Sequence, residues 1–94
     1  MTSYRGIEWR AFADCVEDHI EDYTVPQYGD MPHDRASSMT AAECIGEVKK
    51  YLARFGRGQR GPDEQRRDML KIAHYACIAH TKLLSETQVE EECQ

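Results

Sequence analysis

The chain has 94 residues, of which 40% are hydrophobic and 31% are charged, and it carries a formal net charge of −5. This length allows one domain with a modest core, and the composition is typical of a folded protein rather than a disordered one. A membrane-spanning helix is excluded, because no apolar run approaches the roughly 20 residues that such a helix needs.

The charge is unevenly distributed along the chain. Residues 1–34 are mostly acidic, residues 49–67 are mostly basic, and the last nine residues are acidic again. Charge blocks of this kind influence partners and self-association more than they influence the fold. Because the N-terminal residues lack the apolar stretch of a signal peptide, we expect a cytoplasmic protein.

The first predicted element is an amphipathic helix over residues 6–23. Apolar side chains recur there at three- and four-residue steps, so they share one face of a helical wheel. These side chains are Trp9, Phe12, Ala13, Val16, Ile20 and Tyr23. We expect the helix to end at Val25, because the residue before a proline is disfavoured in the helical region. Residues 24–39 are then predicted to form a long loop.

The second predicted helix spans residues 41–55. Thr40 and Glu43 fit a capping box, in which a hydroxyl and a carboxylate accept hydrogen bonds from free N–H groups at the helix start. Gly56 is well placed to end the helix. The predicted buried face consists of Ala41, Ile45, Val48, Leu52 and Phe55.

A third predicted helix spans residues 62–84 and begins at Pro62, since proline favours the first position of a helix. Its predicted buried face consists of Met69, Ile72, Ala73, Ala76, His80 and Leu83. The acidic residues 86–94 oppose the helix dipole, so we expect this tail to fray. The sequence therefore predicts one all-α domain, residues 1–94, with an N-terminal helix, a long loop and an antiparallel helical hairpin.

The predicted core is too small to enclose every apolar side chain of these helices, so we expect oligomerisation, most simply a dimer, to complete the fold. An antiparallel hairpin that turns near residue 59 would set oppositely charged side chains of its two helices level with one another. The pairs are Arg54 with Glu64, Lys50 with Asp68, and Glu47 with Lys71. Exposed ion pairs contribute about 0–1 kcal/mol each, so these would mainly set the register.

The end of the second helix and the loop after it are basic and rich in glycine, in the sequence KKYLARFGRGQRG. Glycines let backbone N–H groups approach an anion, and Arg57 and Arg60 would supply positive charge, so this hairpin tip is a candidate phosphate site. It is not a Walker P-loop, because the lysine and hydroxyl residue that follow the last glycine of that motif are missing. Ordinary helix capping by the same bases is the competing interpretation.

Four carboxylates suggest a second kind of site. They are Glu43, Glu47, Glu64 and Asp68. All-α nucleotide pyrophosphohydrolases hold magnesium with acids paired on facing helices; their usual spacing is E-x-x-E and E-x-x-D, whereas both pairs here are spaced by four. On a helical wheel all four point away from the apolar stripes, where a buried metal site would need them. We expect magnesium only if the chain is such an enzyme, and no other cofactor.

The hairpin resembles a small phage-encoded family of largely unknown function that is often labelled nucleotide kinase. The resemblance is carried by KYLARFG at residues 50–56 and DMLKIAHY at residues 68–75. It implies a phage or prophage setting and nucleotide handling by four residues. These are Lys50, Arg54, Lys71 and Tyr75.

Three functions are consistent with these patterns. We expect first a non-enzymatic accessory protein, a helical binding or oligomerising module whose basic hairpin tip meets an anionic partner, either a protein or a nucleotide phosphate. The alternative is a nucleotide-processing enzyme, either a kinase or a pyrophosphohydrolase. The third is an inhibitory protein whose acidic first helix engages a basic partner surface. We expect no membrane partner, and the acidity of the chain argues against nucleic acid.

Overall fold

The computed structural model describes residues 2–30, 38–57 and 61–91. These ranges are almost entirely helical and contain no strand, which confirms the all-α prediction. The elements are α1 (Tyr4–His19), a π-helical segment (Ile20–Thr24), α2 (Val25–Tyr28), α3 (Ala41–Arg57) and α4 (Pro62–Glu91). Over the described residues, none of these helices is both long and apolar enough to cross a membrane.

The first helix does not end at Val25, so that prediction is wrong; α1, the π-helical segment and α2 form one continuous rod. Val25 has helical backbone angles (φ −64°, ψ −46°), and Pro26 lies in the first turn of α2. The π-helical segment just before it widens the turn, which gives the proline ring space and accommodates its missing N–H. The rod ends at Gly29, whose φ of 92° suits glycine and whose N–H donates to the Val25 carbonyl (2.9 Å).

α3 and α4 begin where the sequence predicted, whereas both end later than predicted. In the capping box, the Thr40 N–H donates to the Glu43 carboxylate (2.8 Å) and the Glu43 N–H donates to the Thr40 hydroxyl (3.1 Å). α4 begins at Pro62, as predicted. α3 continues through Gly56, which has no positive φ, and α4 continues well past residue 84. Part of the acidic tail is therefore helical.

α3 and α4 pack as a hairpin, through a face of α3 that shares Ala41 with the predicted one but not Ile45, Leu52 or Phe55. The core between them consists of Ala41, Cys44 and Ala79, with Met39, Tyr75 and Ile78 packed against it. Ile45, Leu52 and Phe55, which the sequence placed in the core, are 42–53% exposed. α3 carries two overlapping apolar stripes, and the one that faces α4 consists of Ala41, Cys44 and Tyr51. The small side chains of Ala41 and Cys44 let the two helix axes approach closely.

The covered surface of α4 also differs from the prediction, because α4 has two neighbours. It packs against α3 on one side and against α1 on another. Asp68 and Ala79 are buried. Six residues of α4 were predicted to be buried. Three of them, Met69, Ile72 and Ala73, are half-buried, and the other three, Ala76, His80 and Leu83, are exposed.

The ion pairs that the structure gives for the described residues run along single helices and not across the hairpin. They join Glu47 to Lys50 (2.9 Å), Asp63 to Arg66, and Glu64 to Arg67 (3.8 Å). None of the three predicted interhelical pairs occurs in this part of the chain. Tyr51, which the predicted register sets level with Arg67, lies instead against Lys71 and Tyr75, one and two turns further along α4. The predicted register is therefore wrong.

Candidate anion-binding site

Three cations surround the ring of Tyr51, which is buried between α3 and α4 (8% exposed). The guanidinium carbon of Arg54 lies 5.1 Å from the ring centroid, and the ammonium nitrogens of Lys50 and Lys71 lie 5.3 and 5.6 Å from it. Tyr75 stacks on the same ring, with 6.3 Å between the centroids and 28° between the planes. We call these five residues the Tyr51 cluster.

Helical spacing explains how the cluster forms. Lys50 and Arg54 are one turn apart on α3 and adjoin Tyr51, so both reach the same ring. Lys71 and Tyr75 are likewise one turn apart on α4. A cation over an aromatic ring contributes about 0.5–1 kcal/mol at an exposed site, so these contacts hold the cations in place and help to set the hairpin register.

Two of the three cations have no acidic partner among the described residues. Lys50 pairs with Glu47 (2.9 Å), whereas Arg54 and Lys71 form no ion pair in this part of the chain. A ring face attracts a cation without occupying all of its N–H groups. Donors of Arg54 and Lys71 therefore stay available to an anion.

The hydroxyl of Tyr51 is a third kind of donor in the cluster. Burial is the main reason that the pKa of Tyr51 is raised. Nearby charges change this pKa less, and with opposing signs; they belong to Lys50, Glu47, Arg54 and Asp68. The phenol is therefore protonated at neutral pH and can donate a hydrogen bond.

Lys71 connects the cluster to the end of the first rod. Its ammonium lies 5.9 Å from the ring centroid of Tyr23 as well as 5.6 Å from that of Tyr51. His19 stacks on Tyr23 (5.1 Å, 22°), and Tyr28 meets Tyr23 edge-on (6.3 Å, 68°). Basic and aromatic side chains from the rod, α3 and α4 thus form one connected surface.

The pKa of His19 is sensitive to burial and to basic side chains of α4. Burial lowers the pKa of His19, and the charges of Lys71, Arg67 and His74 lower it further. Neighbouring cations disfavour a protonated imidazole for the same reason that they favour an anion. Basic side chains of α4 therefore lie close to His19 at the end of α1, although the chain as a whole is acidic.

The structure brings together most of the residues that the sequence assigned to anion binding. Lys50, Arg54, Lys71 and Tyr75 all belong to the Tyr51 cluster. Arg57 is exposed at the last residue of α3 and does not belong to it, and Arg60 lies outside the described residues. Tyr51 was not among the predicted site residues, although its position in KYLARFG, beside Lys50, is a signal that could have identified it.

Three of the four predicted metal ligands pair with residues three positions away on their own helix or its cap. Among the described residues, no group of three or more His, Cys, Asp or Glu side chains could hold a metal ion. Glu43 pairs with Thr40, Glu47 with Lys50 and Glu64 with Arg67. Asp68 is buried (1% exposed), so the wheel-based expectation that it points away from the core is wrong, because its side of α4 is covered.

Comparisons with family models, with curated proteins and with solved structures gave no match to this chain. The site itself offers three kinds of donor group. These are guanidinium, ammonium and phenol donors beside aromatic rings. Such donors bind oxyanions through charge-assisted hydrogen bonds.

Proposed function

We propose that the chain is a non-enzymatic helical binding module that takes a phosphate-bearing anion at the Tyr51 cluster. The observation that carries the proposal is the pair Arg54 and Lys71. They come from facing helices, lie beside one ring and have no acidic partner among the described residues. The resemblance of this stretch to a phage-encoded family supports an accessory role in a phage or prophage setting.

The donor chemistry favours phosphate over weaker anions. The Arg54 guanidinium presents a planar fork of N–H groups, and the Lys71 ammonium presents a compact charge with three donors. Charge-assisted hydrogen bonds are roughly twice as strong as neutral ones, so a multiply charged oxyanion gains most from this arrangement. The site proposed here lies along the hairpin at Tyr51, and not at the tip around Arg57.

Calorimetry with tripolyphosphate tests the proposal. Lys71→Gln and Arg54→Gln each remove a charge and keep a polar side chain, so each should weaken binding by about tenfold or more. The matched control is Lys49→Gln, which removes the same charge from an exposed position of α3 that is not part of the cluster. Its affinity should stay close to that of the wild type.

Three results would contradict this proposal. Equal weakening by Lys49→Gln would show that the chain responds only to its net charge, and a wild type that gives no binding heat would remove the site altogether. Phosphate release from tripolyphosphate or ATP, measured in the same samples, would establish the enzymatic alternative.

We also propose that a second copy of the chain covers the outer face of α3. Ile45, Leu52 and Phe55 leave about half of their surface uncovered, and with Val48 they follow the spacing of a coiled-coil seam. The described core is small for a chain of this length, so burying this face against another copy would supply apolar contacts that the single chain lacks.

A further inference from the structure

We propose that the anion is a nucleotide whose base stacks on Tyr28 while its phosphates lie against Lys71 and Arg54; this inference rests on the anion site proposed at the Tyr51 cluster. The base would lie at the aromatic end of the first rod, which is outside the stretch that resembles the phage family. The phosphates would lie where the rod approaches the hairpin.

The aromatic end of the rod is exposed. Tyr23 is 39% exposed and Tyr28 is 61% exposed, and the two rings meet edge-on. Tyr23 is already stacked by His19. Tyr28 is therefore the ring with most surface open to a ligand, and it stands just before the turn at Gly29.

The aromatic end and the cations are contiguous. Lys71 is within 5.9 Å of the Tyr23 ring and within 5.6 Å of the Tyr51 ring, so one ammonium adjoins both surfaces. Arg67 adds positive charge near His19. A ligand that reaches from Tyr28 to Arg54 would pass along Lys71.

A nucleotide matches this combination because it joins a flat base to a chain of phosphates through one sugar. Stacking of a base on an aromatic side chain strengthens binding by about 5- to 150-fold. Free phosphate would leave the rings unused, and an uncharged aromatic ligand would leave the cations unused. The exposed acids Glu21 and Asp22 adjoin Tyr23 and would repel a longer polyanion, which favours a mononucleotide over single-stranded nucleic acid.

The test compares ATP with tripolyphosphate, which has the phosphate chain without the base, by calorimetry on the full chain without added metal. ATP should bind about tenfold more tightly to the wild type. Tyr28→Leu should remove most of that difference and leave the affinity for tripolyphosphate unchanged. The control is Tyr4→Leu, which removes a tyrosine that is 85% exposed at the other end of the rod, and it should behave like the wild type.

The outcomes separate this inference from the proposed function. Equal wild-type affinities for ATP and tripolyphosphate, or equal weakening of both by Tyr28→Leu, would overturn base stacking and leave the anion site standing. No binding of either ligand would remove the anion site as well. Tighter binding of a thymidine oligonucleotide than of ATP would overturn the assignment to a mononucleotide. Upfield NMR shifts of the Tyr28 ring protons on addition of ATP, but not on addition of tripolyphosphate, would support stacking directly.

Discussion

His19 is the residue whose ionisation reports on the charge of the proposed site. Its pKa in the folded chain is lowered first by burial and then by Lys71, Arg67 and His74. As the pH falls below the ordinary value of 6.5, the unfolded chain binds a proton to this imidazole before the folded chain does. The free energy of unfolding therefore decreases from that pH down to the lower pKa of the folded state.

We therefore expect the melting temperature to fall between pH 7 and pH 5, with a contribution from His19. His19→Asn should make the decline shallower, and His80→Asn, which removes an exposed imidazole of α4, should keep the wild-type slope. Calorimetric scans at several pH values measure both. Saturating tripolyphosphate should raise the pKa of His19 in NMR titrations, since the ligand offsets Lys71 and Arg67. An unchanged pKa would place the anion elsewhere.

At the same scale, the cations of the proposed site were named before its rings, except for Tyr75. Lys50, Arg54, Lys71 and Tyr75 were all named by the resemblance to the phage-encoded family. The burial of Tyr51 and its stacking on Tyr75 depend on how two helices face each other, which local spacing does not determine. Tyr23 joins the surface only through a contact between distant parts of the chain.

At the scale of helices and turns, the structural features that depend on only a few neighbouring residues were predictable. The Thr40–Glu43 capping box and the start at Pro62 each need only their neighbours, and both are confirmed. The continuation through Pro26 was not predictable, because it depends on a π-helical segment with no clear sequence signature. Both stripes of α3 are apolar, so only contact with α4 decides which one is covered.

α3 contains a glycine whose replacement should stabilise it. Gly46 lies inside the helix, and a Cβ added there meets no atom within 4 Å. Gly46→Ala should therefore raise the free energy of unfolding by about 0.5–1 kcal/mol, because glycine loses more backbone entropy on folding. Gly29→Ala is the opposite case: its φ of 92° should make alanine destabilising by about 1–3 kcal/mol. Urea denaturation measures both, and a destabilised Gly46→Ala would indicate that another chain approaches this side of α3.

At the scale of the whole molecule, composition and periodicity predicted an all-α chain with a modest core, and the structure agrees. Which apolar surface would remain outside could not be predicted, because a helical wheel shows which residues share a face but not which face meets another helix. The helices meet through Ala41, Cys44 and Ala79, with Tyr51 buried further along α3. The larger residues Leu52 and Phe55 are left on the outer face of α3, where we propose that a second copy packs.

Replacing Leu52 and Phe55 together with glutamate should separate that assembly without unfolding the chain, because both side chains are already about half exposed. Light scattering at micromolar concentration should give the wild type about twice the chain mass of 10.8 kDa and the double variant the single-chain mass. The control variant Ile7→Glu makes the same kind of change at an exposed position of α1, and this variant should still form a dimer. A monomeric wild type, or dissociation by Ile7→Glu alone, would contradict the proposed interface.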